Sequence, residues 1–285
     1  MTAFADAPMQ MNSSSQDGLR RLGAAGTILA FVILAASMLL RLATVFTGDG
    51  RAVSTLPSEV ENVARMLHRV SASGVALLTL CAVVLCWRRR STAGYLARPI
   101  VWIVLSTIIL AVIGPLTPGY RNDLITVLNV TIGMLMLVAF WWLHEFAAVQ
   151  ATEVHRPRDR PGQVALVAFL AHVATGAAAS AGEMRGVRWL AFLHLASLVL
   201  VVALIISAAV ARRNERAASR NIAVLLILLA LQLIFGYSLM QLQVRPLWLA
   251  LLHGLLSPSL GLALVSLGIR YPVRFGVLVA GSRSN

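Results

Sequence analysis

The sequence predicts an all-α integral membrane protein with eight transmembrane helices, arranged as two four-helix bundles related by a pseudo-two-fold axis. Three observations lead there. Of 285 residues, 59% are hydrophobic and only 12% charged, and the mean hydropathy is +0.82, which leaves too little polar material to coat a soluble globule of this size. The apolar residues fall into eight runs, each near the roughly 20 residues that carry a helix across about 30 Å of hydrocarbon. The first four runs also echo the last four.

Residues 1–21 are polar, with Ser13 to Ser15 and Asp17, and are expected to form a short disordered cytoplasmic tail. They are not a cleaved signal, because Arg20 and Arg21 precede an apolar run too long for a signal core and no small-residue cleavage pattern follows. An N-terminal unit, 22–149, holds spans over 23–43, 63–87, 99–118 and 124–146. The third is interrupted by Gly114, Pro115 and Pro118. A cytoplasmic linker, 150–162, leads to a second unit, 163–270, with spans over 163–181, 189–211, 221–241 and 247–269. Alanine and glycine dilute the fifth span. A C-terminal tail, 271–285, completes the chain.

Orientation follows from the 24 basic residues, all of them arginine. Arg20 and Arg21, Arg88 to Arg90 with Arg98, Arg156, Arg158 and Arg160, Arg212, Arg213, Arg216 and Arg220, and finally Arg270, Arg274 and Arg283 fall on one set of connections. The positive-inside rule then places both termini in the cytoplasm. The net charge of +13 reflects topology and affinity for anionic headgroups of the lipid bilayer, and no nucleic-acid partner is inferred from it. Cys81 and Cys86 lie five residues apart on the second span, off a common helix face, and read as reduced packing residues.

The internal repeat organises the polar residues. Asn129 follows His68 by 61 residues, and His253 follows His194 by 59. Gly114 and Gly236 are matched as the ends of the third span and of the body of the seventh, and Leu128-Asn129 matches Leu252-His253. An ionisable imidazole in hydrocarbon is costly and is normally kept for a ligand, an ion or a proton path. His194 and His253 both enter their spans from the outer side, at a depth on the order of 10 Å. Opposed imidazoles from two helices of one bundle make an axial bis-His site, and a haem is its natural occupant. His144 and His155 read as solvated, while for His172 a packing role and a contact with a cofactor edge both stay open. Arg41, Arg69, Arg188 and Arg245, near the outer boundary, are candidate partners for haem propionates, with interfacial snorkelling as the alternative.

Four segments carry a family resemblance: LLRLATVFTGDG at 39–50, ARMLHRVSASG at 64–74, FLHLASLVL at 192–200 and LQLIFGYSLMQLQVRPLWLALLHGLL at 231–256. In this order on eight spans the chain resembles the haem A synthase family, the oxidase-assembly enzymes that convert haem O to haem A. The resemblance implies a resident haem b held by His194 and His253, and a substrate site for haem O in the N-terminal half with His68 as its iron ligand. A bacterial inner membrane is the expected setting, since the stretch before Arg20 lacks the Arg-rich amphipathic character of a transit peptide, with the mitochondrial inner membrane as the alternative; haem O synthase or oxidase subunits, or a second copy of the chain, are the candidate partners. Two positions depart from the family pattern. Asn129 stands where a second N-terminal histidine is expected, and Arg65 where a glutamate is expected. Glu61, two turns before His68, is the candidate to supply the missing carboxylate if the helix extends that far. The rival reading is a non-catalytic haem b membrane subunit on the same fold; a small-molecule transporter built on a parallel repeat is a third.

Overall fold

The computed structural model describes residues 13–46, 52–88, 96–116, 123–148, 160–183, 189–242 and 246–271. Among them are eight long helices: α1 (Ser13–Leu42), α2 (Ser58–Arg88), α3 (Ala97–Ile113), α4 (Asp123–Ala148), α5 (Arg160–Glu183), α6 (Trp189–Val210), α7 (Ser219–Gln241) and α8 (Leu247–Arg270). All eight are long and apolar enough to cross a membrane, α3 together with the 3-10 turn Gly114–Leu116 that continues it. A two-stranded antiparallel hairpin, β1 (Thr44–Phe46) and β2 (Ala52–Ser54), joins α1 to α2.

Several boundaries differ from the sequence expectation, each for a physical reason. The first helix begins at Ser13, inside the stretch expected to be a tail. Leu19, just before the basic pair, is buried, so the helix already has a packing contact within that stretch. At the other end of the hairpin, α2 starts at Ser58, with Glu59 and Glu61 in its first turn, where acidic side chains complement the helix dipole. Gly236 does not end α7, which runs on to Gln241. Pro258 lies inside α8 without breaking it, as neighbouring helices in a membrane bundle permit.

In the N-terminal half α2 packs on α1, α1 on α4 and α4 on α3, and a contact between α2 and α3 closes the circuit. In the C-terminal half α6 packs on α5, α5 on α8 and α8 on α7, in the same order. The halves meet where α4 packs on α5 and α8, and α1 on α8. These central helices carry the core, with Phe140, Leu137 and Phe169 almost fully enclosed. The peripheral helices expose large apolar side chains such as Leu77, Ile108, Val199 and Ile227, a surface suited to lipid rather than water.

Helices α1 and α4 approach most closely where glycine allows it. A Cβ at Gly23 would lie 2.6 Å from the backbone nitrogen of His144, and one at Gly26 would lie 2.2 Å from the Phe140 ring. Membrane helices lack a hydrophobic drive toward one another, so contacts of this kind, through dispersion, hold them together. At the same end, polar groups tie α4 to its neighbours. His144, expected to be solvated, stacks on Trp141 with centroids 4.6 Å apart, and its Nδ1 lies 3.0 Å from the Arg20 carbonyl. The fully buried Glu145 carboxylate accepts from Arg270 at 2.6 and 3.0 Å and from Ser266 at 2.9 Å. Trp141 donates to the same serine at 2.7 Å. Arg212, enclosed at the end of α6, donates to the Tyr271 and Ala208 carbonyls, both at 2.6 Å.

Replacing Arg270 with Ala strands the Glu145 charge. The expected loss is on the order of 2 kcal/mol, below the ~3–5 kcal/mol of a wholly buried pair because the guanidinium is part-exposed. Thermal unfolding in detergent reads this, and adding Glu145→Gln to Arg270→Ala should recover part of the loss.

Candidate functional site

The N-terminal half encloses a cavity of about 410 Å³, within the usual range of ligand pockets. All four helices line it. From α2 come Glu61, Arg65, His68 and Arg69, from α4 Asn129 and Met136, and from α3 Thr107. Thr44 and Ser54, paired across the hairpin, lie at the same end as Glu61. Helical spacing explains the polar wall: positions 61, 65, 68 and 72 repeat every three or four residues and so share one face of α2. Deeper in, Thr107 bonds the Ile103 carbonyl at 2.8 Å and Thr79 at 3.1 Å.

The helix does reach Glu61, and the structure brings that carboxylate into one cavity with His68 and Asn129. It is engaged, however. Arg65 Nε donates to Glu61 Oε1 at 2.8 Å, and the Ser54 hydroxyl bonds the same side chain. Arg65, read from sequence as a lost carboxylate, is therefore the partner of the carboxylate one turn away. Arg69 lines the cavity. Arg41 is buried in the last turn of α1 and is not among the cavity's lining residues. Arg188 and Arg245 lie outside the described residues, as do His155 and most of the linker 150–162.

In the C-terminal half three imidazoles gather: His172 on α5, His194 on α6 and His253 on α8 lie close enough to interact electrostatically. Two glycines make room. A Cβ at Gly176 of α5 would stand 2.8 Å from His194 Cε1, and one at Gly236 of α7 would stand 3.0 Å from His253 Cε1. Gly236 is thus explained by a ring seated on it, not by the end of a helix.

Hydrogen bonds hold these rings in place. Thr175 Oγ1 lies 2.8 Å from the His172 carbonyl, 2.9 Å from Ser197 Oγ and 3.2 Å from His194 Nδ1. The tautomer with its proton on Nδ1 leaves Nε2 of His194 a lone pair. Gln232, 6% exposed on α7, offers its amide nitrogen to Ser257 at 2.9 Å and to His253 Nε2 at 3.4 Å. His253 Nδ1 is buried with no hydrogen-bond partner among the described residues. His194 on α6 and His253 on α8 are thus each held by a polar side chain of a neighbouring helix.

Among the described residues no cluster of three or more His, Cys, Asp or Glu side chains is placed to hold a bare ion. Two imidazoles are the complement that an iron takes when a macrocycle supplies its other ligands, as in a haem. Sequence reasoning singled out His194 and His253, and the glutamine of the 231–256 segment, but passed over Thr175, Ser197 and Ser257. Their signal was present: Thr175 follows His172 by three residues, Ser197 follows His194 by three, and Ser257 follows His253 by four, each on the same helix face. Compared with known proteins, the chain matches no family model, and no curated protein matches its sequence.

A methyl group added at Gly176 meets a ring that is held on several sides, so Gly176→Ala is expected to destabilise by about 1–3 kcal/mol, with a smaller effect for Gly236→Ala. Thermal melts of the two variants in one detergent give the comparison.

Proposed function

We propose that the chain is a membrane haem protein of the haem A synthase type, with a resident haem b in its C-terminal half and a substrate site for haem O in its N-terminal half. The observation that carries this reading is the pair of imidazoles, His194 and His253, each seated on a glycine and each held by a polar side chain of a neighbouring helix. The resemblance of the four sequence segments supplies the substrate class. The shared packing order of the two halves supports a pseudo-two-fold relation between them. The arginine distribution supports cytoplasmic termini.

On this reading His194 and His253 hold the b haem through Nε2, and the haem supplies one-electron chemistry when bound. In the N-terminal cavity His68 holds the iron of the substrate haem. Arg69 orients a propionate, for which its planar fork is well shaped. The resemblance implies that the substrate methyl would be oxidised to the hydrate of a formyl group, a four-electron change whose oxidant must come from outside the chain. Glu61 is the carboxylate available in that cavity to accept protons, and Arg65 fixes it in place. Asn129 faces the same space as a neutral amide, which leaves one side of the substrate iron without a histidine.

The same two features favour a rival within the fold. A carboxylate already paired to Arg65, opposite an asparagine, describes a half that no longer turns over, leaving a haem b carrier. Co-expression with a haem O producer, followed by extraction and chromatography of the haems, separates the two. The enzyme reading expects haem A in cells carrying the intact chain and none with His68→Ala, while His68→Ala still binds haem b. Glu61→Gln should lower haem A by about 10²-fold or more if the carboxylate takes the proton. Haem b without haem A supports the carrier. His194→Ala and His253→Ala should each abolish the low-spin haem b spectrum, and its survival in both variants sinks the site.

A further inference from the structure

One buried imidazole has no part in the reading above. His172 is 6% exposed, faces α6 from α5, and stacks on His194 with ring centroids 4.2 Å apart and planes 13° from parallel. Its Nδ1 lies 2.8 Å from Ser197 Oγ. That hydroxyl also lies 2.7 Å from the His194 carbonyl. Thr175 and Ser197 meet at 2.9 Å, which closes a cluster of four polar side chains on two helices.

The cluster acts on one ring above all. His194 is covered on a face by His172, bonded at Nδ1 by Thr175 and backed by Gly176 at a distance that admits no methyl group. Its rotation about the Cβ to ring bond is therefore blocked on every count. His253 is treated differently, with a glycine behind it and a single 3.4 Å contact to Gln232. A general histidine spacer between helices would not need a parallel stack, since interhelical hydrogen bonds require only an edge. The parallel arrangement fixes a plane.

We infer that His172 is a positioning residue which sets the plane of the His194 imidazole, so that its Nε2 is presented to a bound haem in one orientation. The inference rests on His194 being a haem ligand. Groups that orient a ligating histidine without touching the metal are worth about 10–100-fold in metal affinity where they have been removed.

The test uses the full chain purified with its haem b, and the variants His172→Ala, His172→Phe and Ser197→Ala. Low-temperature electron paramagnetic resonance reports the geometry of the axial rings, and haem transfer to apomyoglobin reports retention. The intact chain is expected to give one low-spin species. His172→Ala should split it into two or more and release haem about tenfold faster, while His172→Phe, which keeps a flat ring in place, should restore most of the single species. Ser197→Ala leaves His172 in place but unheld and should broaden the signal, which keeps the test open if His172→Ala fails to fold. An unchanged resonance and release rate in His172→Ala and Ser197→Ala overturns the inference. Conversion of His172→Ala to a high-spin haem overturns it too, by making His172 a ligand. If the intact chain and His194→Ala carry the same haem signal or none, it is the reading of His194 as a ligand that fails.

Discussion

A polar side chain inside a bilayer has no water to fall back on, and this constraint governs where each helix of the protein can go. Every hydroxyl, amide or imidazole carried into hydrocarbon needs a partner on the same helix or its neighbour. Serine and threonine meet the need locally, by donating to a carbonyl one turn back, as Thr27, Thr79 and Thr107 do. Imidazoles and the amide of Gln232 are too large for that. They find partners across helix interfaces, and in doing so fix which helices pair: α5 with α6 through Thr175, Ser197 and two histidines, and α7 with α8 through Gln232 and Ser257.

The same rule separates the two halves. In the C-terminal half the groups around His194 and His253 are hydroxyls, an amide and a third imidazole, and they pair among themselves. In the N-terminal half they include charges, Glu61, Arg65 and Arg69, at the end of a cavity whose remaining wall is largely apolar. The α2 to α3 contact that closes the first half has no counterpart of similar extent between α6 and α7.

Much of this was legible in the sequence. Eight spans are there in the hydropathy, because composition over about 20 residues is what a bilayer selects. The gathering of Glu61, His68 and Asn129 followed from helical spacing and from the repeat. What the sequence hid depends on contacts between helices. Gly236 looked like a terminus because glycine often ends helices, yet its role is to admit a ring from α8. Arg65 looked like a loss because its partner Glu61 is visible only once α2 is known to start at Ser58. Glu145 carried no mark of its burial, since its countercharge, Arg270, lies 125 residues away. His172 could not be assigned from spacing alone, for a stacked pair is a property of two helices and not of one.

The ion pair of Glu145 with Arg270 has a reach beyond its own neighbourhood. Helix α8 is a continuous rod, and Arg270 anchors it about 25 Å along the axis from His253. Were that mooring to slip by a single residue, the rod would turn by about 100° while sliding only about 1.5 Å, and the imidazole at its opposite end would swing from the bundle interior toward the lipid. A carboxylate near one membrane face thereby sets the compass bearing of a side chain near the other.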